Sequence, residues 1–200
     1  MPLGVQIAKT LEKVAGTGGA IDTIAPSHGV GWRGADVGAV LAEYGRLAAG
    51  ETRPKVVVAY STMWGSTDAM ARAITDGVAQ AGAEVAAYDL AASHLAQVTR
   101  DLLDARVLLL GSPTLHHGML YRTAGYLQYL AGLKPAGKVA GVFGSFGWSS
   151  GATKQMTERL AEIGIEPVLG EITLKYRPTA DDLAACIEFG RAAGRAALEG

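Results

Sequence analysis

Apolar positions from Lys55 onward fall into two kinds of run. Val56 to Ala59 and Val107 to Leu110 are short and uninterrupted, as expected of strands buried on both faces. Met70, Ile74 and Val78, and later Met156, Leu160 and Ile163, recur at helical spacing instead. Taken in order, the pattern predicts a strand at Val56–Ala59, a helix through Met70–Val78, a strand at Glu84–Leu90 and a helix at Leu95–Leu103. There follow a strand at Arg106–Gly111, a helix at Leu120–Leu133, a strand at Val139–Phe143, a helix at Thr153–Ile163 and a strand at Pro167–Leu174. Pro178 stands at the favoured first position of a last helix, which runs to Leu198. Alternating strands and helices imply an α/β fold, a doubly wound five-stranded parallel sheet with helices on both faces.

The preceding residues read differently. Ile7, Leu11 and Val14 mark a short helix over Val5–Val14, ended by Gly16, Gly18 and Gly19. Ile21–Ala25 suits a strand, and Asp36 a cap for a second helix with Val37, Val40, Leu41, Tyr44 and Leu47 as its stripe. That helix closes at Gly50, and Pro54 marks a linker, so the chain divides into residues 1–53 and 54–200. A helix-strand-helix piece cannot enclose a core of its own. It is expected to pack on the main domain, on a second copy, or on another segment. Gly29, Gly31 and Gly34 spell G-x-G-x-x-G, but Pro26, Ser27 and His28 separate them from the strand. Trp32 and Arg33 are also bulky where a pyrophosphate needs close approach, so a dinucleotide site is not expected there.

Composition narrows the partners. A formal charge of -1 without a basic stripe argues against nucleic acid. No apolar run approaches the roughly 18 residues of a membrane span, and Lys9, Glu12 and Lys13 interrupt any signal-peptide core. The expected compartment is the cytoplasm. Cys186 is the one cysteine, so neither a disulfide framework nor a thiolate metal cluster is expected. With Leu183 and Ile187 beside it in a helical pattern, it reads as core.

In doubly wound sheets, ligands sit beyond the carboxyl ends of the strands, which singles out three loops. After the first strand come Ser61, Thr62, Met63, Trp64, Gly65, Ser66 and Thr67, opening directly into a helix. Unpaired helical N–H groups and the positive end of the macrodipole make such a turn an anion site. A Walker loop would need a Lys beside Ser66, and a dinucleotide fingerprint more than Gly65 alone. A monophosphate without magnesium, as in FMN, fits better; a merely Ser/Thr-capped helix is the plainer alternative. After the third strand come Gly111, Ser112, Pro113, Thr114, Leu115, His116, His117, Gly118 and Met119. After the fourth come Gly144, Ser145, Phe146, Gly147, Trp148, Ser149, Ser150 and Gly151. Trp64 and Trp148 either fill the end of the sheet as core or offer faces to a planar isoalloxazine. Their placement in two convergent loops favours a ligand.

These three loops, STMWGST, GSPTLHHGML and GSFGWSSG, closely resemble the flavodoxin domain of flavodiiron proteins. Upstream, IAPSHGVGWRG resembles the end of that family's metallo-β-lactamase-like domain, where the S-H-G His is an iron ligand; His28 matches it. The resemblance implies a flavodoxin-like sheet of strand order 2-1-3-4-5, preceded by a remnant of the β-lactamase-like domain. It implies FMN, held by Ser61 to Thr67 at the phosphate, Ser112 to Gly118 on one side of the ring, and Ser145 to Ser149 with Gly151 on the other. A rubredoxin or flavin reductase would donate electrons, and a di-iron centre reducing oxygen or nitric oxide would accept them. The family's H-x-E-x-D-H iron cluster is absent from this sequence, so no metal site is expected here. The acceptor would be a separate chain or segment, with homo-oligomers an open expectation. His116 and His117 replace residues that are usually asparagine in the family, which predicts a pH-dependent flavin midpoint.

No paired carboxylates or nucleophile–base pair lies in the three loops, so no catalytic residue is assigned. An electron-transfer module is the expectation. The alternative is an FMN-dependent NAD(P)H:quinone oxidoreductase, with His116 and His117 placing a quinone over the ring. An interaction module with an empty pocket is disfavoured by the three intact loops.

Overall fold

A computed structural model describes residues 2–199. They form two compact units that meet between Glu51 and Thr52. In the first unit, helix α1 (Gly4–Ala15) packs on α2 (Ala35–Ala49), and the short strands β1 (Thr23–Ile24) and β2 (Trp32–Arg33) pair antiparallel. A Cβ on Gly4 would lie 2.6 Å from the Ala48 carbonyl oxygen, so only glycine lets α1 begin there. The second strand is too short to leave a periodic signal. Asp36 does not cap α2: Gly34 is the N-cap residue, and Asp36 lies in the first turn. There it still complements the macrodipole.

The second unit is the parallel sheet. Strands β3 (Arg53–Tyr60), β4 (Glu84–Asp89) and β5 (Ala105–Gly111) precede a two-residue-strand hairpin of β6 (Thr114–Leu115) and β7 (Gly118–Met119), and β8 (Val139–Phe146) and β9 (Glu171–Lys175) follow. The five-stranded order is β4-β3-β5-β8-β9, every pair parallel, which is the expected order 2-1-3-4-5. Helices α3 (Ser66–Gln80), α4 (Leu95–Leu103), α5 (Tyr121–Leu133), α6 (Ala152–Glu162) and α7 (Ala180–Leu198) connect and cover it.

Because strand side chains alternate, each uninterrupted apolar strand supplies two cores. Val57, Ala59, Leu108 and Leu110 join Val98, Leu102, Tyr126, Leu130, Met156 and Leu160 from α4, α5 and α6. Val56, Val58, Val107 and Leu109 join Met70, Ile74, Val78, Cys186 and Ala193 from α3 and α7. Cys186 is wholly buried, and burial pushes its thiol up to about 11. On that face α3 and α7 nearly touch: a Cβ on Gly77 would sit 2.0 Å from the Ile187 carbonyl oxygen.

Two element boundaries move. The last strand begins at Glu171 rather than Pro167: Val168 is exposed, and before Glu171 the pairing with β8 is broken, an isolated bridge from Glu166 to Val139 and single backbone bonds at Leu169 and Gly170, becoming continuous only from Glu171. Pro178 precedes the cap of α7 rather than opening the helix. Thr179 is the N-cap, accepting from Asp182 N–H at 3.2 Å while Asp182 Oδ2 accepts from Thr179 N–H at 2.9 Å. This reciprocal pair satisfies two otherwise unpaired donors. Among the described residues, no helix is long and apolar enough to cross a membrane.

Candidate functional site

Residues following β3, β5, β8 and β9 at the carboxyl edge of the sheet surround one cleft of about 540 Å³. A cleft of that size lies within the range that holds small-molecule cofactors.

One wall is the start of α3. Gly65, at φ 83°, is its N-cap and supplies no side chain to satisfy the first-turn amides. Its own N–H donates to Thr62 Oγ1 at 3.1 Å, which curls the loop into the helix. Thr62, Met63, Trp64, Ser66 and Thr67 line the cleft. Thr67 Oγ1 lies 3.3 Å from Ser145 Oγ, so the first turn of α3 rests against the end of β8. Asp68 is occupied elsewhere: its carboxylate accepts from Tyr60 Oη at 2.6 Å and from Arg72 Nε at 2.9 Å. Burial first, and that bond second, hold the Tyr60 phenol above its ordinary pKa.

The second wall is the β6–β7 hairpin, with Pro113, Thr114, Leu115, His116 and His117 facing the cleft. Leu115 pairs with Gly118, leaving His116 and His117 as the two turn residues, both at positive φ, 49° and 64°. Such turns favour Asn and Gly. His117 Nδ1 lies 3.1 Å from Ser149 Oγ, and Ala152 N–H donates to Thr114 Oγ1 at 3.3 Å, so the hairpin is tied to the third wall. That wall is Ser145, Phe146, Gly147, Trp148 and Ser149.

Trp64 and Trp148 are 92% and 96% exposed. Neither belongs to the core, which removes the packing explanation for both. Exposed indole faces beside a helix start with free amides suit a planar aromatic group that carries an anion.

Five of the expected residues stand behind the lining. The Ser61 hydroxyl is buried and accepts from Thr123 Oγ1 at 3.0 Å. Ser112 Oγ is buried, accepting from Leu120 N–H at 2.9 Å and donating to the Pro113 carbonyl at 2.9 Å. Gly65 makes the turn. Gly118 and Gly151 allow close approach: a Cβ on Gly151 would meet the His117 carbonyl oxygen at 2.2 Å, and one on Gly118 would meet Gln155 Oε1 at 2.6 Å. Tyr176 and Arg177, just beyond β9, also line the cleft and were not anticipated. The carboxyl-end rule covers the fifth strand too, but its expected end at Leu174 stopped short of them. His28 lies in the first unit, where Ser27 Oγ is 3.0 Å from its Nδ1. Among the described residues, no group of three or more His, Cys, Asp or Glu side chains is arranged to hold a metal ion.

Residues 58–190 match the family model described as Flavodoxin. The chain is 41% identical over 192 residues to a nitric oxide reductase of Moorella thermoacetica, covering 96% of this chain and 48% of that protein. Among solved structures it resembles the rubredoxin oxygen:oxidoreductase of Desulfovibrio gigas, with TM-score 0.92, 35% identity and coverage of 99% of this chain and 50% of that one. The flavodiiron protein of Giardia intestinalis gives TM-score 0.92 and 33% identity, covering 98% and 48%. The chain thus spans about half the length of the relatives it matches. With its family match and its five-stranded parallel sheet, this flavodiiron-protein-like chain belongs to the flavodoxin family.

Proposed function

We propose that the chain is an FMN-binding electron-transfer module of the flavodiiron type. It would take electrons from a rubredoxin or flavin reductase and pass them to a di-iron module outside these residues. The observation that carries this reading is the free N-terminus of α3 opening into a cleft flanked by two exposed tryptophans. The residues present fit the cofactor. The amides of Ser66 and Thr67 and the nearby hydroxyls would hold the phosphate. Trp64 and Trp148 would flank the ring, with the hairpin from Thr114 to His117 along its edge. When bound, FMN supplies electron storage and release; the chain binds it, orients it and limits its exposure to water. No carboxylate lines the cleft among the described residues, which suits a carrier rather than an acid–base enzyme.

Residues 1–53 read as the tail of a β-lactamase-like domain and residues 54–200 as the flavodoxin domain. The cytoplasm is the compartment that suits its redox partners. The visible spectrum of the purified chain, with flavin and metal assayed together, tests the reading. Flavin bands at about one FMN per chain support it; a colourless chain that refuses added FMN overturns it. A second reading, an NAD(P)H:quinone oxidoreductase, draws on His116 and His117, both of which reach the cleft. Rapid steady-state oxidation of NADPH with a benzoquinone would favour it over a one-partner carrier.

A further inference from the structure

The cleft's anion site, as built by α3, is uncharged: amides, Thr62, Ser66 and Thr67. A flavin phosphate brings nearly two negative charges near neutral pH. Of the residues lining the cleft, Arg177 alone carries a permanent positive charge, and no carboxylate lines it among those described. We propose that Arg177 neutralises the cofactor phosphate and so sets the chain's preference for FMN over riboflavin, an inference that rests on the function proposed above.

The topology brings Arg177 to the phosphate end rather than leaving it at a distant edge. The bond from Thr67 to Ser145 places the first turn of α3 beside the end of β8. Ser145 pairs with Leu174 and Phe146 with Lys175, so the chain leaving β9 is one strand spacing, about 4.8 Å, from β8. Tyr176 N–H then donates to the Phe146 carbonyl at 2.7 Å, holding the turn onto β8.

The backbone on either side of Arg177 is constrained. Tyr176 has φ 62°, a left-handed conformation that costs a non-glycine residue free energy and persists where surrounding structure imposes it. Pro178 follows, which biases Arg177 itself toward an extended conformation. The capping pair of Thr179 and Asp182 fixes the chain immediately after. Of the two neighbouring cations, Lys175 is engaged, its Nζ 5.1 Å from the centroid of the Tyr176 ring. Arg177 makes no hydrogen bond or ion pair among the described residues, and its side chain is exposed. An exposed guanidinium without a partner, held by a strained turn at the rim of an anion site, is suited to bidentate pairing with phosphate.

The test measures flavin affinity by fluorescence quenching on the full chain and its Arg177→Gln and Arg177→Lys variants, with FMN and riboflavin in parallel. Arg177→Gln is expected to weaken FMN about tenfold, the scale of one charge-assisted hydrogen bond, and to leave riboflavin unchanged. Arg177→Lys is expected to recover part of the loss, and raising salt to weaken FMN less in Arg177→Gln than in the wild type. Equal weakening of both flavins would place Arg177 at the ring and overturn the inference, as would unchanged FMN affinity. A wild-type chain that binds neither flavin overturns the proposed function itself.

Discussion

Gly151→Ala tests whether the hairpin sets the width of the cleft. Gly151 precedes α6 with φ -176°, outside the left-handed region that favours glycine, and proximity is what opposes a side chain there. The added Cβ would sit 2.2 Å from the His117 carbonyl oxygen and 2.9 Å from its carbon. Ordinary carbon–oxygen contact begins near 3.3 Å, so the two segments must separate by about 1 Å. The side that yields is the hairpin, whose strands are two residues long and whose turn is exposed. Its links to the loop after β8, from His117 to Ser149 and from Ala152 to Thr114, then lengthen beyond hydrogen-bond range. Overpacking of this kind costs roughly 1–3 kcal/mol, the lower end applying to so short and exposed a neighbour, which lowers the melting temperature by about 2–4 °C. Loss of one net hydrogen bond's worth of preorganisation weakens FMN binding about tenfold. The assay is FMN fluorescence quenching beside a thermal melt. Gly132→Ala is the control, because a Cβ there meets nothing within 4 Å. A Gly151→Ala protein that binds FMN as the wild type does would show that the hairpin does not set the width of the cleft.

Other perturbations address the scaffold and the turn. Gly77→Ala should cost about 3 kcal/mol, seen as a lower urea midpoint, because its Cβ meets backbone of α7 rather than a movable side chain. Lys55 is buried, with Glu84 and Asp101 each at 3.4 Å and Asp104 at 3.6 Å. Burial opposes its charge, but Asp104, Asp101 and Glu84 raise its pKa above 10.5. Burial likewise works against Asp101, yet Tyr88 and Lys55 hold it below 3.8. A lowered carboxylate stabilises the fold above its unfolded pKa and ceases to as pH falls through the folded value. Lys55→Met should therefore cost roughly 1–3 kcal/mol at pH 7 and lose less than the wild type as pH drops below 3.8; urea unfolding across pH reads both. The raised Lys55 contributes in the opposite sense, its share persisting up to 10.5 and fading above it. Replacing His116 and His117 together by Asn relieves two unfavourable left-handed residues and should stabilise the chain by about 1 kcal/mol. It should also flatten the pH slope of the flavin midpoint; an unchanged slope would remove the histidines from any role in flavin potential.

The central strands of the sheet were legible because they are buried on both faces, so Val56 to Ala59 and Val107 to Leu110 leave unbroken apolar runs. Helices with one buried stripe, such as α6, were legible from Met156 and Leu160 for the matching reason. Elements without a buried repeat were not. The β6–β7 hairpin and the paired Trp32–Arg33 strand are too short for periodicity, and β9, only partly covered, was placed four residues early at its start.

At the site, residue types alone pointed to three of the four segments that line the cleft, and to the chemistry they offer: hydroxyls and amides for an anion, tryptophans for a plane. Those properties belong to residue types and to their position after a strand. Tertiary structure alone decided how the residues divide the labour. It turned Ser61 and Ser112 inward, to partners 62 and 8 residues away, and left Trp64 and Trp148 facing outward. It also brought Tyr176 and Arg177 into one cleft with residues 27 to 115 positions earlier. Such meetings depend on sheet order, on register and on the left-handed turn at Tyr176. They arise from pairing between distant strands, for which a local pattern of side chains carries no signal.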